Sequence, residues 1–194
     1  MSKELTKTSS APASVSTTQK TDFNQLMGRL YNLDKCLLLD TSYSMEAPVE
    51  YQDGQPIRAI DNLRKLAEQF KQLRKFSFSS QVQEIGSWIP EPSGGTDLAN
   101  AFRYLKQQGC KHVVLLTDGQ PDDEESTLQE AIGLKVDVYY IGKGETPDFL
   151  LRLAKQCGGS VGHSELLTGN IQQIGQTIAG YLEGGSTDES KIYL

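Results

Sequence analysis

The chain has 194 residues, with 25 Asp and Glu against 19 Lys and Arg and a formal net charge of -6. Its length is typical of one domain, and a hydrophobic fraction of 37% can supply a core. The negative charge argues against a general nucleic-acid binder, which needs a basic face to neutralise phosphates. The longest apolar runs have four residues, such as 113–116, whereas a membrane-spanning helix needs about 20. We therefore expect no nucleic-acid and no membrane partner.

The three cysteines, Cys36, Cys110 and Cys157, are an odd number and include no Cys-x-x-Cys pair. This makes a poor disulfide framework and a poor zinc site. Each cysteine lies inside an apolar pattern, so we predict buried free thiols, as in a reducing compartment. The N-terminus also lacks the apolar stretch of a secretory signal, and the cytoplasm is therefore the expected location.

Both ends of the chain differ in composition from its middle. Ser and Thr make up ten of residues 1–21, and such a stretch cannot bury enough apolar surface to offset the entropy of ordering. We predict a disordered tail there, one domain over residues 22–183, and a second flexible tail over 184–194.

Between the tails, helical and strand patterns alternate. Apolar residues at helical spacing predict a helix over 23–30, and the continuous apolar run Cys36–Leu39 predicts a strand buried on both faces. From Ile57 to Leu73, apolar residues recur every three or four positions. This pattern predicts one long helix, with Pro56 in its first turn.

Two short strands follow in the predicted order, at 75–79 and 82–88. The second is expected at an edge of the sheet because prolines close it off, and Trp88 is expected to pack at that edge. Apolar residues from Leu98 to Leu105 then predict a helix. Asp97 is in the position to cap the first turn of that helix.

The second half of the chain repeats the alternation. In chain order we predict a buried strand at 112–117, a helix at 128–132, a strand at 136–141, a helix at 149–154, a weak strand at 160–161 and a last helix at 171–182. Asp122 and Asp123 supply the negative charge that the start of a helix favours. About six strands alternating with helices indicate an α/β sandwich with a mostly parallel sheet. In such folds, ligand sites lie beyond the carboxyl ends of the strands, where the strand order reverses.

Oxygen-bearing side chains occupy alternate positions after the first buried strand, at Asp40, Ser42 and Ser44. In a loop that leaves a strand, this spacing can turn three oxygens toward one point. A later Gly-Gly-Thr-Asp-Leu loop offers Thr96, and the loop after the strand at 112–117 offers Asp118. Hard cations such as Mg²⁺ prefer oxygen ligands of this kind. We therefore predict a divalent-metal site of two carboxylates and three hydroxyls.

This constellation resembles a known family, the von Willebrand factor A domains. The adhesion site of that family combines Asp-x-Ser-x-Ser, a distant Thr, and an Asp in a Thr-Asp-Gly loop, and the matching residues here are Asp40, Ser42, Ser44, Thr96 and Asp118. The resemblance covers about residues 30–182. It implies a three-layer, Rossmann-like α/β fold, with a mostly parallel six-stranded sheet ordered 3-2-1-4-5-6 and one antiparallel edge strand.

The resemblance also implies a function, that of a divalent-metal-dependent protein-binding module. The three hydroxyls would bind Mg²⁺, Mn²⁺ or Ca²⁺ directly, and the two carboxylates would bind it partly through water. One coordination position would then be left for an Asp or Glu of a partner protein, which requires no covalent chemistry and no enzymatic activity. Small soluble members resemble intracellular assembly or stress-system factors, some of which work with AAA+ ATPases.

Two other functions stay open at this point. A scaffold subunit could keep the fold with a structural or degenerate metal site. A metal-dependent hydrolase would need a base or nucleophile beside the metal, and the two histidines of the chain, His112 and His163, form no ligand-spaced pair.

Two expectations concern the loop that begins at Asp40. Tyr43 stands where the family often has a small residue, so we expect its ring to influence the choice of partner. We also expect Asp40 and Ser42 to lie in a surface loop, in which case their replacement by Ala would remove metal binding and spare the fold.

Overall fold

The computed structural model of the chain describes residues 34–70 and 73–163. Its strands are β1 (Lys35–Asp40), β2 (Pro48–Gln52), β3 (Gln55–Arg58), β4 (Arg74–Phe78), β5 (Val82–Ile85), β6 (His112–Thr117), β7 (Lys135–Tyr140) and β8 (Val161–His163). Its helices are α1 (Ala59–Ala67), α2 (Leu98–Gln107), α3 (Glu124–Ala131) and α4 (Asp148–Gln156), with 3₁₀ turns at Tyr43–Glu46 and Glu68–Phe70. None of the helices in these two ranges is long and apolar enough to cross a bilayer. The predicted tails at 1–21 and 184–194 and the predicted helices at 23–30 and 171–182 lie outside the described residues.

Six strands form one sheet in the order β5-β4-β1-β6-β7-β8. Every neighbouring pair is parallel except β4 and β5, which are antiparallel. Numbered along the chain within this sheet, the order is 3-2-1-4-5-6, so the predicted fold class is confirmed. The order reverses between β1 and β6, and the crevice at that point lies at the carboxyl ends of these strands, beside Asp40 and Thr117.

Apolar side chains cover the two faces of this sheet. Successive side chains of a strand point to opposite faces, and in β1 this separates Leu38 from Leu37. Leu38 belongs to a buried cluster that includes Phe102 of α2 and Leu153 of α4. Leu37 belongs to a second cluster that includes Leu63 of α1. Because β1 is buried on both faces, its sequence is continuously apolar rather than alternating.

A β-hairpin stands where the sequence predicts the start of the long helix. β2 and β3 pair as a separate two-stranded sheet, in which Pro56 lies opposite Tyr51. The turn residues Asp53 and Gly54 have φ of 51° and 78°, as a type I′ turn requires. The predicted helical start at Ile57 is therefore wrong, and α1 begins only at Ala59. The Asp-Gly pair was the sequence signal for this hairpin. The apolar residues after it are spaced as in a helix, and that spacing led to the prediction of a helix instead.

Three apolar side chains are less buried than predicted. Trp88 is 70% exposed, because β5 is an edge strand of four residues and ends before it. Ile132 is 61% exposed, because the backbone leaves the helical conformation at this C-cap residue. Cys36 and Cys110 are buried free thiols as predicted, whereas Cys157, at the end of α4, is only half-buried.

Candidate metal centre

Asp40 is the last residue of β1 and is fully buried. Its Oδ1 accepts a hydrogen bond from the backbone N–H of Ser42 at 2.8 Å, and its Oδ2 accepts one from the hydroxyl of Thr117 at 2.5 Å. Burial raises the pKa of Asp40 to about 6, although these hydrogen bonds oppose the rise, and the nearby charge of Asp118 adds to it. The expectation that Asp40 lies in a surface loop is therefore wrong, because its carboxylate is enclosed at the end of the sheet.

The loop after Asp40 is held between two neighbouring segments. Thr41 donates to the carbonyl of Phe78 from both its backbone N–H, at 2.8 Å, and its hydroxyl, at 3.0 Å. The N–H of Tyr43 donates to the carbonyl of Gly94 at 3.1 Å. Ser42, between these two anchors, is only 1% exposed, so the surface-loop expectation is wrong for this residue as well.

Three of the predicted ligands form a continuous chain of oxygens. Ser42 Oγ lies 3.0 Å from Ser44 Oγ, and Ser44 Oγ donates to Asp118 Oδ1 at 2.8 Å. Burial raises the pKa of Asp118, although the hydrogen bond from Ser44 opposes the rise. Adjacent oxygens around an octahedral Mg²⁺ are about 3.0 Å apart, because each Mg–O bond is about 2.1 Å. The two contacts, from Ser42 to Ser44 and from Ser44 to Asp118, are therefore compatible with neighbouring positions around one ion. The side chain of Ser44 is exposed to solvent.

Thr96 reaches the same edge of the sheet on the loop before α2. Its N–H donates to Asp122 Oδ2 at 2.9 Å, and its carbonyl accepts from the N–H of Asp122 at 3.1 Å. A Cβ at Gly95 would lie 2.6 Å from the same Oδ2, so a larger residue there would displace the Asp122 carboxylate. Among the described residues, the Thr96 hydroxyl is not hydrogen-bonded to the other four predicted ligands. Its loop is joined to theirs through the backbone bond between Gly94 and Tyr43.

Two residues that support the site are not among the five predicted ligands. The hydroxyl of Thr117 holds Asp40, and the sequence signal was its place in the Thr-Asp-Gly string. Asp122 was interpreted as a helix-start charge, but its carboxylate holds the Thr96 loop instead. Asp123 is the residue that caps α3. The sequence pattern gives no reason to assign different roles to these two adjacent aspartates. The structure does, because the Thr96 loop contacts Asp122.

Two of the five predicted ligands are carboxylates, those of Asp40 and Asp118. Within residues 34–70 and 73–163, no group of three His, Cys, Asp or Glu side chains is placed to hold a metal ion. A cation at this edge therefore needs hydroxyl ligands as well, and the oxygen-only set fits a hard divalent ion. His112 begins β6, at the opposite end of that strand from Asp118, and its Nε2 lies 2.5 Å from Asp137 Oδ2.

Among solved structures, the chain is similar to the crystal structure of the manganese-loaded TRAP protein of Plasmodium vivax, with 20% identity and a TM-score of 0.47. The match covers 64% of this chain and 63% of that one. A likeness at this level carries no argument about what this chain does. No protein-family model and no curated protein matches the chain. What this protein binds is therefore inferred from its own residues.

Proposed function

We propose that this protein is a divalent-metal-dependent binding module, which binds an acidic side chain of a partner protein through an adhesion site of the Mg²⁺ type. The observation that carries this proposal is the chain of oxygens from Ser42 through Ser44 to Asp118, with contacts of 3.0 and 2.8 Å. The residues that would hold the ion are Asp40, Ser42, Ser44, Thr96 and Asp118, and Mg²⁺, Mn²⁺ and Ca²⁺ all suit such ligands.

The donor set favours binding of an external carboxylate. A divalent ion held by three neutral hydroxyls and two carboxylates supplies a positive centre with a position for one more oxygen ligand. Asp40 is largely occupied in orienting protein groups, because both of its oxygens accept hydrogen bonds. The exposed Ser44 marks the side from which a partner's Asp or Glu would approach.

We infer binding rather than catalysis, and an intracellular partner such as an AAA+ ATPase or another assembly protein. In this proposal the carboxylates and hydroxyls at this edge serve as metal ligands, and His112, which could serve as a base, is engaged with Asp137 at the other end of β6. The buried free thiols of Cys36 and Cys110 support a reducing, cytoplasmic setting. The alternative is a scaffold subunit whose metal site is structural or degenerate.

The first test is a calorimetric titration of Mg²⁺ and Mn²⁺ into the full chain after removal of metal with a chelator. We expect saturable binding at one site, lost in Asp118→Ala. The matched control is Asp148→Ala, which removes an exposed carboxylate that pairs with Arg152 on α4. No binding, or equal binding by Asp118→Ala, would contradict the proposal.

A second measurement separates the adhesion site from a structural ion. Water bound to Mn²⁺ relaxes solvent protons, and a carboxylate that takes the open position displaces that water. We expect the proton relaxivity of the Mn²⁺-loaded protein to fall when a Glu-containing peptide is added and to stay constant with the Gln counterpart. Equal behaviour of the two peptides would favour the scaffold.

A further inference from the structure

One exposed tyrosine lies between two predicted ligands of the candidate metal centre, and a second exposed tyrosine contacts a lysine in a loop that packs against Asp118. We propose that Tyr43, Tyr51 and Lys143 form a recognition rim, which selects partner segments whose metal-binding Asp or Glu is flanked by a large apolar side chain and a second acidic residue. This inference rests on the proposed function and specifies the kind of partner which that site accepts.

Tyr43 lies on one side of the centre, between the predicted ligands Ser42 and Ser44. Its ring is 71% exposed, while its N–H is fixed to the carbonyl of Gly94 at 3.1 Å. This backbone bond holds Tyr43 beside the loop that carries Thr96. The ring itself stays outside the core. A partner that reaches Ser44 therefore meets an exposed ring on the neighbouring residue.

Tyr51 lies on the side of Asp118 and comes from the hairpin. Its ring is 64% exposed, and Lys143 Nζ lies 5.8 Å from the ring centre. The loop of Lys143 packs directly on the site, because a Cβ at Gly142 would lie 2.7 Å from the carbonyl oxygen of Asp118. The cation–π contact thus connects the hairpin to the loop that packs against the backbone of Asp118.

Hydrogen bonds and ion pairs fix the base of the hairpin that carries Tyr51. The N–H of Ala59 donates to the carbonyl of Ala47 at 3.0 Å across the open end of the hairpin. Arg58 donates to both carboxylate oxygens of Glu46 at 3.1 Å and to Asp61 at 2.9 Å. A preorganised surface loses little conformational entropy when a partner binds.

The chemistry of the rim defines the partner. Tyrosine rings are amphipathic and are enriched at the energetic centres of interfaces, where they pack against large apolar side chains. Lys143 is exposed and, in the described part of the chain, forms no ion pair with Asp or Glu. It can therefore pair with a second acidic residue of the partner. A single lysine in this rim, on a chain of net charge -6, does not suit nucleic acid.

The test uses the full chain, loaded with Mn²⁺, and a display library of nine-residue peptides with Asp or Glu fixed at the centre and random flanks. We expect selection to enrich aromatic or large aliphatic residues and a second acid near the centre. For the best peptide, Tyr43→Ala and Tyr51→Ala should each weaken binding about tenfold, with unchanged affinity for Mn²⁺. Lys143→Ala should remove the preference for the second acid.

The matched controls are Trp88→Ala and Lys155→Ala. Trp88 is as exposed as Tyr43 and follows the antiparallel strand β5, which carries it to the opposite edge of the sheet. Lys155 is an exposed lysine of α4. Both variants should bind the selected peptide as the wild-type chain does.

The outcomes separate the rim from the metal site itself. If the chain bound acidic peptides in a metal-dependent way whatever their flanking residues, the proposed role of the rim would be wrong. The proposed function would then stay intact. Unchanged affinity in both tyrosine variants, or no enrichment by a chain that binds Mn²⁺, would also overturn the rim. Failure to bind Mn²⁺ would overturn both proposals.

Discussion

The hydroxyl of Thr117 donates a hydrogen bond to Oδ2 of Asp40 at 2.5 Å, across 77 residues of sequence. It joins the carboxyl ends of β1 and β6, the two neighbouring strands between which the order of the sheet reverses. Both side chains are buried. Asp40 is therefore part of the structure of the sheet as well as a candidate metal ligand.

Thr117→Val tests this relationship, because valine has nearly the shape of threonine but no hydroxyl. Asp40 Oδ2 would lose its partner in a buried place, so we expect the free energy of unfolding to fall by about 1–3 kcal/mol. The carboxylate would also lose orientation, and metal affinity should fall about 10- to 100-fold. Urea denaturation and Mn²⁺ titration measure the two effects. Thr117→Ser, which keeps the hydroxyl, should restore most of both, and equal loss in the two variants would point to packing instead.

Asp122 and Asp123 are adjacent, but we expect their replacement by Ala to affect different properties. One replacement should affect metal binding and the other should affect stability. Asp122→Ala should weaken Mn²⁺ binding about tenfold, because the Thr96 loop loses its anchor at the backbone N–H. Asp123→Ala should lower the melting temperature, because α3 loses the cap that accepts from Ser126. Its affinity for Mn²⁺ should stay close to that of the wild-type chain. If Asp123→Ala weakened Mn²⁺ binding more than Asp122→Ala, the role given to Asp122 would be wrong.

The pair of Asp137 and His112 predicts a dependence of stability on pH. Burial raises the pKa of Asp137, but hydrogen bonds from His112 and Ser160 outweigh it and hold the pKa below its usual value. The ionised carboxylate therefore stabilises the fold above its unfolded pKa of about 3.9, and this contribution is lost as the pH falls through the folded pKa. We expect Asp137→Asn to lower the free energy of unfolding by about 1–3 kcal/mol at pH 7, with a smaller difference below about pH 4.

Denaturation of the wild-type protein and of Asp137→Asn at a series of pH values measures this difference in the free energy of unfolding. Asp148→Asn, which removes an exposed carboxylate of α4, is the control and should show little change. A difference between wild type and Asp137→Asn that stayed constant from neutral to acid pH would show that shape, and not charge, explains the loss.

Arg58 is expected to hold the hairpin through the geometry of its guanidinium group. It donates to Glu46 and Asp61 at the same time, which a lysine cannot reproduce. We expect Arg58→Lys to speed chymotrypsin cleavage after Tyr51 several-fold, as measured by mass spectrometry. Because these groups are partly exposed, the loss of global stability should be at most about 1 kcal/mol. Arg103→Lys, which affects the ion pair with Glu130, is the control, and equal cleavage of the two variants would contradict the prediction.

Several elements could be predicted because their signals are local. The apolar run at Cys36–Leu39 indicated a strand buried on both faces, and Asp97 was expected to cap the helix that follows it. The hairpin was missed although Asp53-Gly54 is a strong turn signal. The helical spacing that starts at Ile57 extended into α1, and the same residues fitted both patterns. Two-stranded sheets add little apolar periodicity, which is why the stronger helical pattern misled the prediction.

The sequence by itself determined the six-stranded α/β fold and the oxygen-bearing residues expected after its strands, because burial periodicity and short motifs are properties of neighbouring residues. Only the tertiary structure decided that Asp40 is buried against Thr117, that Asp122 rather than Asp123 holds the Thr96 loop, and that the hairpin brings Tyr51 to Lys143. These contacts join segments far apart in the chain. They depend on how the loops meet at one edge of the sheet, which no local pattern encodes.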